Sequence, residues 1–219
     1  MGLVFEPHCH SYVSDGVSSP ENIVRRAKLR GVHALAVTDH DTFRGSILAY
    51  KVSRLFNVLV VFGAEVLTSW GDILVLCPEP MEEPLPSDPF VLRDEASKYN
   101  CALIAPHPFH PPPLPSVGFN VLRHSSVFDA VEIWNAKGLP IFNIPAIIVA
   151  RRVGKPRVSG SDCHIPSALG VAPTLVDSDG ASVEGVVEAI LKGRVIPTIG
   201  VMGLRAVLDD VAWSLFKSV

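Results

Sequence analysis

The sequence has no long hydrophobic run. Its longest apolar stretches, around Val58–Val66 and Ile144–Ala150, fall far short of the ~20 residues a membrane-spanning helix needs, and Glu65 interrupts the first. No basic region followed by an apolar segment opens the chain, so no secretory leader is expected. Glu6 stands where a myristoylation signal wants Ser or Thr. Cysteine is scarce: Cys9, Cys77, Cys101 and Cys163 are scattered and make no CxxC pair, which argues against a disulfide framework or a zinc ribbon. A reducing, cytoplasmic setting is the expectation. Lys/Arg tracts are missing too, and a net charge of −3 with pI near 6.2 gives no global attraction to nucleic acid. A local basic site stays open.

What is present is apolar material in short pieces. Hydrophobic residues make up 48% of 219, and the mean hydropathy is +0.34, so a packed domain over residues 1–219 is expected. Strands are predicted at Leu3–Glu6, Ala34–Thr38, Val58–Glu65, Asp72–Leu76, Cys101–Ala105, Ala130–Trp134 and Arg157–Ser161. The third and fourth are close enough for a hairpin through Ser69-Trp70-Gly71. Helices are predicted from Pro20 to about Arg30, with Ser18 and Glu21 at capping-box spacing and Gly31 as the stop. Others should cover Ser46–Phe56, the stretch after an Asp88 cap to Asn100, Ile141–Val153, Val183–Leu191 and Leu204–Lys217. Strand–helix repetition favours an α/β barrel with a mainly parallel sheet, because the polar residues follow successive strands, where barrel loops build sites. Pro111–Asn120, with its four prolines, reads as an ordered flap beside His107 and His110.

Five strand ends carry chemistry. In Glu6-Pro7-His8-Cys9-His10 alternation turns His8 and His10 to one side and Cys9 to the other, a chelating pair suited to zinc, iron or manganese. Asp15, in the following turn, can reach the same cavity. Thr38-Asp39-His40-Asp41 ends the second strand, with His40 and Thr38 on one face. Glu65 ends the apolar run Val58–Phe62, and a carboxylate there is costly to bury without a cation or hydrogen bonds. His107 and His110 follow the fifth strand, and Asp162-Cys163-His164 repeats the alternation of the first. Of the eight histidines only His33 and His124 lie outside these motifs. Separate structural reasons for five polar strand ends are less economical than one multinuclear metal site. Cys9 and Cys163 should pack away from it.

The ordered set His8-x-His10, Ser14-Asp15-Gly16, Thr38-Asp39-His40-Asp41, Gly63-x-Glu65, His107-Pro108 and Ser161-Asp162-x-His164 resembles the PHP (polymerase and histidinol phosphatase) superfamily, closest to its small stand-alone phosphoesterases. The resemblance implies a distorted (β/α)7 barrel and two or three divalent ions (Mn, Zn or Fe). It assigns His8, His10, Glu65 and Asp162 to a first metal, Glu65 and His107 to a second, and Asp15, His40 and His164 to a third. Where the family often has a histidine after the Glu-bearing strand, this chain has Asp72, a harder ligand that leans toward manganese. The alternative for Asp72 is a cap on the Trp70-Gly71 turn.

Against three divalent ions the four carboxylates leave the centre positive, which suits a phosphate substrate. The implied reaction is phosphoester hydrolysis through a metal-bridging hydroxide, on a phosphorylated small molecule, a nucleotide or a nucleic-acid end. Arg44 and Lys137 could meet phosphate oxygens, though either reads more readily as an ordinary solvated charge. His110 could protonate the leaving group or pack against the proline flap. Two other readings stay open: an amidohydrolase, against which the Asp162-x-His164 pair and the short chain argue, and a non-catalytic nucleic-acid-processing module, which should have lost metal ligands.

Overall fold

The computed structural model describes residues 2–112 and 115–217. Nine strands form one sheet in the order β7-β6-β5-β4-β3-β2-β1-β8-β9. The first three, β1 (Gly2–Glu6), β2 (Ala34–Val37) and β3 (Leu59–Thr68), are parallel neighbours linked by α1 (Pro20–Leu29) and α2 (Arg44–Phe56). β4 (Gly71–Cys77) turns back antiparallel on β3 with Thr68 opposite Gly71, the expected hairpin. β5 (Ala102–Ala105) follows α3 (Pro89–Lys98) and runs antiparallel to β4. After the short α4 (Asn120–Arg123), β6 (Ala130–Asn135), α5 (Asn143–Val153) and β7 (Arg157–Gly160) complete the parallel set. β2 and β5 are buried throughout, as strands covered on both faces must be, and they are wholly apolar.

The sheet curls into a nearly closed barrel of the distorted type expected. Ser159 N donates to Thr174 Oγ1 at 2.8 Å and Thr198 N to Ser159 Oγ at 2.9 Å, tying β7 to the far edge of the sheet. That edge consists of β8 (Thr174–Asp177) and β9 (Val195–Pro197), either side of α6 (Val183–Leu191), and neither strand was expected. They are four and three residues long, too short for periodicity to register. At the mouth, His10 N donates to Cys163 O at 2.9 Å, so the extensions of β1 and β7 meet directly. α7 (Leu204–Lys217) closes the described chain. Among the described residues no helix is long and apolar enough to cross a membrane.

Two expectations need correction. Ser19, not Ser18, caps α1: its side chain accepts from Asn22 N, because Pro20 takes the first helical position and the cap must be the residue before it. Cys77 and Cys101 form a disulfide, although scattered cysteines had argued against one. The pairing of Leu76 with Ala102 puts the next two residues outward, Cys77 and Cys101, opposite each other, a proximity set by register and not by spacing. The Asp88 cap and the Gly31 stop are as expected. The proline-rich flap falls partly on residues 113 and 114, outside the described residues. Its described part is docked, with Asp72 N donating to Pro115 O and Ser116 Oγ to His107 O.

Candidate metal centre

All nine candidate ligands gather at the C-terminal mouth of the barrel in four overlapping groups, the ligand atoms of each group lying within 4.8 Å of one another. His8 and His10 face one side as the strand pleat requires, with Nε2 atoms 3.3 Å apart. Glu65 sits at the centre: Oε1 is 3.4 Å from His8 Nε2 and 3.1 Å from His107 Nε2, and Oε2 is 3.2 Å from His10 Nε2 and 3.4 Å from His40 Nδ1. Asp162 Oδ1 lies 3.4 Å from His10 Nε2 and 3.6 Å from His8 Nε2. Asp15 faces His164 at 3.0 Å and His40 at 3.6 Å. Asp72 groups with Glu65 and His107 and is buried, so it points into the centre and does not cap its turn. It reaches the mouth from the start of its strand because β4 runs against its neighbours.

The backbone is bent to make this possible. His107 and Asp162 stand at φ of 28° and 48°, conformations that non-glycine residues hold only when their surroundings impose them. Gly16 lets the Asp15 turn fold onto β1: a Cβ there would lie 2.2 Å from His10 O. Asp39, on the opposite face from His40, pins the same turn, accepting from Ser11 N and Ser14 Oγ with Oδ1 and from Ser11 Oγ with Oδ2.

Two buried carboxylates behind the ligands were not expected. Glu132 Oε1 lies 3.2 Å from His8 Nδ1, and its Oε2 accepts from His107 N at 2.7 Å and Asn135 Nδ2 at 3.0 Å. Asn135 Nδ2 also donates to Asp162 Oδ2, so one strand, β6, supports three candidate ligands. Glu6 accepts from Ser161 N and Gly170 N, and burial pushes its pKa up to about 7 against those bonds. The signal for Glu132 was available: an acid inside Ala130-Val131-Glu132-Ile133-Trp134 is as anomalous as Glu65 after its apolar run.

The electrostatics fit cations. Burial opposes ionisation of Glu65 and Asp162. For Glu65 the charge of His8 and hydrogen bonds from His10 and His107 outweigh it; for Asp162 the charges of Lys137 and His8 do, so both are held well below the usual range. Burial, then the Glu65 charge, raises Asp72 to about 7. Asp15 is lowered despite burial by hydrogen bonds from His164 and His40, and His40 is raised to about 9, burial being overcome by Asp15 and Glu65. Metal binding would expel those imidazole protons. Among the described residues the buried His10 Nδ1 and His107 Nδ1 make no hydrogen bond, and His10 Nδ1 lies 3.5 Å from Asp15 Oδ1. The donor set, imidazole with carboxylate, suits a divalent transition metal.

A cavity of about 330 Å³ opens onto Asp15, His40, Glu65, Asp72, His107, Asp162 and His164, and Lys137 joins them. Lys137 Nζ lies 2.9 Å from His164 Nδ1 and 4.0 Å from Asp162 Oδ1, so it is a site residue. Arg44, exposed at the first residue of α2, does not line this cavity. Nor does His110, which stacks on His107 with ring centroids 5.5 Å apart, its Nε2 buried without a partner among the described residues.

The PHP domain model matches residues 6–105 and the PHP-associated C-terminal model residues 140–195, together covering every candidate ligand except His107. An uncharacterized protein of Methanocaldococcus jannaschii is 33% identical over 124 residues, 56% of this chain and 69% of that protein. The chain belongs to the PHP family. A 5'-3' exoribonuclease of Haemophilus influenzae is 41% identical over 66 residues, but the match covers 30% of this chain and 24% of that enzyme. In fold, the chain resembles a two-domain Bacteroides vulgatus protein containing a predicted PHP-like metal-dependent phosphoesterase. The TM-score is 0.75 at 19% identity, over 91% of this chain and 65% of the other.

Proposed function

We propose that the protein hydrolyses a phosphoester with two or three divalent ions, manganese, zinc or iron, held by the nine ligands. The carrying observation is the convergence of four donor groups on one cavity that also holds a lysine. His8, His10, Glu65 and Asp162 would hold one ion, Glu65, Asp72 and His107 a second, and Asp15, His40 and His164 a third. Divalent ions bound there would supply Lewis-acid polarisation of phosphoryl oxygens and a lowered pKa for bound water. The chain's part is positioning. Glu132 fixes the His8 ring and the His107 backbone, Asp39 fixes the Asp15 turn, and the Lys137 ammonium stands where it can meet a phosphoryl oxygen. His110 and Arg44 lie off the cavity; His110 supports His107 by stacking. Family membership and the phosphoester-cleaving relative support this reading.

The substrate on this reading is a phosphorylated small molecule, a nucleotide or a nucleic-acid end. A panel of phosphomonoesters, phosphodiesters and oligonucleotides, with amides and lactones as controls, tests it on protein of measured metal content. Metal-dependent release of phosphate or of nucleotides is expected. Hydrolysis of amides or lactones alone would favour the amidohydrolase alternative, and a metal-loaded protein inert toward every substrate would favour the non-catalytic one.

A further inference from the structure

Both family matches end before α7, the later of them at residue 195. α7 returns to the barrel beside α1: Ala206 is buried against the core there, and Trp213 Nε1 donates to Asp15 O at 2.9 Å. Between α1, α7 and the loop after His164 runs a groove of about 890 Å³, far larger than the metal cavity. Arg26, Arg30 and Arg205 line it, and Asp209 is the one carboxylate among its described lining residues. A second cavity of about 240 Å³ shares Arg26 and Pro166 with the groove and adds Arg25, so the basic surface is continuous.

This charge is segregated. The chain carries a net −3, yet α1 with its C-cap presents Arg25, Arg26, Lys28 and Arg30 against Glu21 alone. Two of the guanidinium groups are held in place, Arg26 Nε donating to Pro166 O at 3.3 Å and Arg30 to Ser167 O at 2.9 Å, and each keeps further donors for a ligand. Aromatic faces sit among them: Trp213 half-buried and Phe216 78% exposed. The groove also adjoins the metal centre along the chain, since it is lined by Val17, two residues after Asp15, and by Ile165, the residue after His164.

We propose that this groove is a subsite for a single-stranded polynucleotide whose scissile phosphate lies in the metal cavity; the inference rests on the phosphoester reading. Arginines lining one trough can pair with backbone phosphates, and the aromatic rings on the same lining give bases a surface to stack on. A small phosphomonoester has nothing to place there. The groove therefore selects for a polynucleotide over a mononucleotide, through side chains of α7 outside the family core.

The test uses the full chain with manganese and compares it with an Arg25→Gln/Arg205→Gln variant, both residues exposed and neither in a candidate ligand group. The probe is a labelled, 5'-phosphorylated single-stranded oligonucleotide, with affinity read by fluorescence anisotropy at about 50 and about 200 mM salt. The variant should bind roughly tenfold more weakly at low salt, and its log–log salt slope should shrink by about 0.7 for each phosphate no longer neutralised. Turnover of p-nitrophenyl phosphate should be unchanged. Unaltered oligonucleotide affinity in the variant would overturn the inference. So would a change in sedimentation mass in place of affinity, which would mark the groove as an interface between copies. Hydrolysis of small phosphomonoesters by a protein that binds no oligonucleotide would overturn the inference and leave the phosphoester reading standing. Binding without cleavage of any phosphoester would overturn the phosphoester reading and with it the placement of a scissile phosphate, leaving the groove as a polynucleotide-binding surface alone.

Discussion

At the mouth of the barrel nine ionisable side chains from six strands and their flanking residues face one another, and two of them, His107 and Asp162, stand at positive φ. At the closed end, β4 and β5 meet through Leu74, Leu76, Ala102 and Ile104, all fully buried, and finish in the Cys77–Cys101 disulfide. The same antiparallel strand serves both: β4 carries Asp72 as its second residue at the mouth and ends with Cys77 at the closed end. The difference is one of purpose. Buried apolar contacts and a cross-link stabilise the chain directly, whereas crowded carboxylates and bent backbone cost stability until cations compensate them. Variants at the mouth should therefore cost metal and turnover more than fold, and variants at the closed end the reverse.

The largest effect is expected from Asp162→Asn and His10→Ala. Each removes a donor from the centre of the cluster, and turnover should fall by more than about 100-fold with loss of at least one metal equivalent. Asn tolerates the positive φ at this position, so the fold should persist. Turnover assays, elemental analysis and circular dichroism check this together. Unfolding of both variants, with metal content kept until the fold is lost, would erase the contrast between the two ends.

Next comes Glu132→Gln. The amide can still donate toward or accept from its neighbours, but it removes the charge behind His8, and a loss of about 10- to 100-fold in metal affinity is expected. Metal titration by calorimetry reads it independently of activity. Equal affinity in the variant would mean that Glu132 merely fills its place in β6.

How far these residues could be read in advance depended on distance along the chain. The donors at strand ends were legible because alternation is local: His8 with His10, and Asp162 with His164, face one way for reasons contained in three residues. Asp72 was legible only through a family resemblance, since nothing local says that its strand enters the mouth backwards. Glu132 was passed over because its partners, His8 and the His107 amide, lie far away in sequence, although an acid inside an apolar strand was itself a flag. The disulfide was hidden for the same reason, as it depends on β4–β5 register. Lys137 looked solvated because its partner His164 belongs to the next strand end. β8 and β9 were too short to show a pattern.

Asp72→Ala sharpens the comparison within one strand. It should weaken a single metal site and lower turnover by roughly tenfold while leaving the thermal midpoint nearly unchanged. Asp72→His should move the activity preference from manganese toward zinc or iron, since it replaces a hard donor with a softer one. Unchanged metal content in Asp72→Ala would mean that Asp72 lines the centre without holding an ion. At the other end of β4, Cys77→Ser should leave metal content and turnover intact. It should cost about 3 kcal/mol of stability in the oxidised protein, from the loop that the cross-link closes. Denaturant unfolding with and without reductant reads that difference, and reductant should abolish it.

The smallest effect should come from Cys9→Ala, which tests the contrast on the scale of one side chain. Cys9 stands between two candidate ligands, yet its Sγ turns away from them, donates to Ala36 O at 3.2 Å and packs with Ile23, Val24 and Leu35 in the core. Removing the thiol deletes one weak hydrogen bond and leaves a space about the size of one atom, a loss of about 1 kcal/mol. The His8 and His10 rings take their direction from the backbone of the same strand, which the substitution does not alter. Metal stoichiometry and turnover should therefore match the parent protein while the unfolding midpoint falls slightly. A Cys9→Ala protein that folds but loses metal as His10→Ala does would mean that the two faces of this strand are not separate, and that the thiol helps to shape the centre from behind.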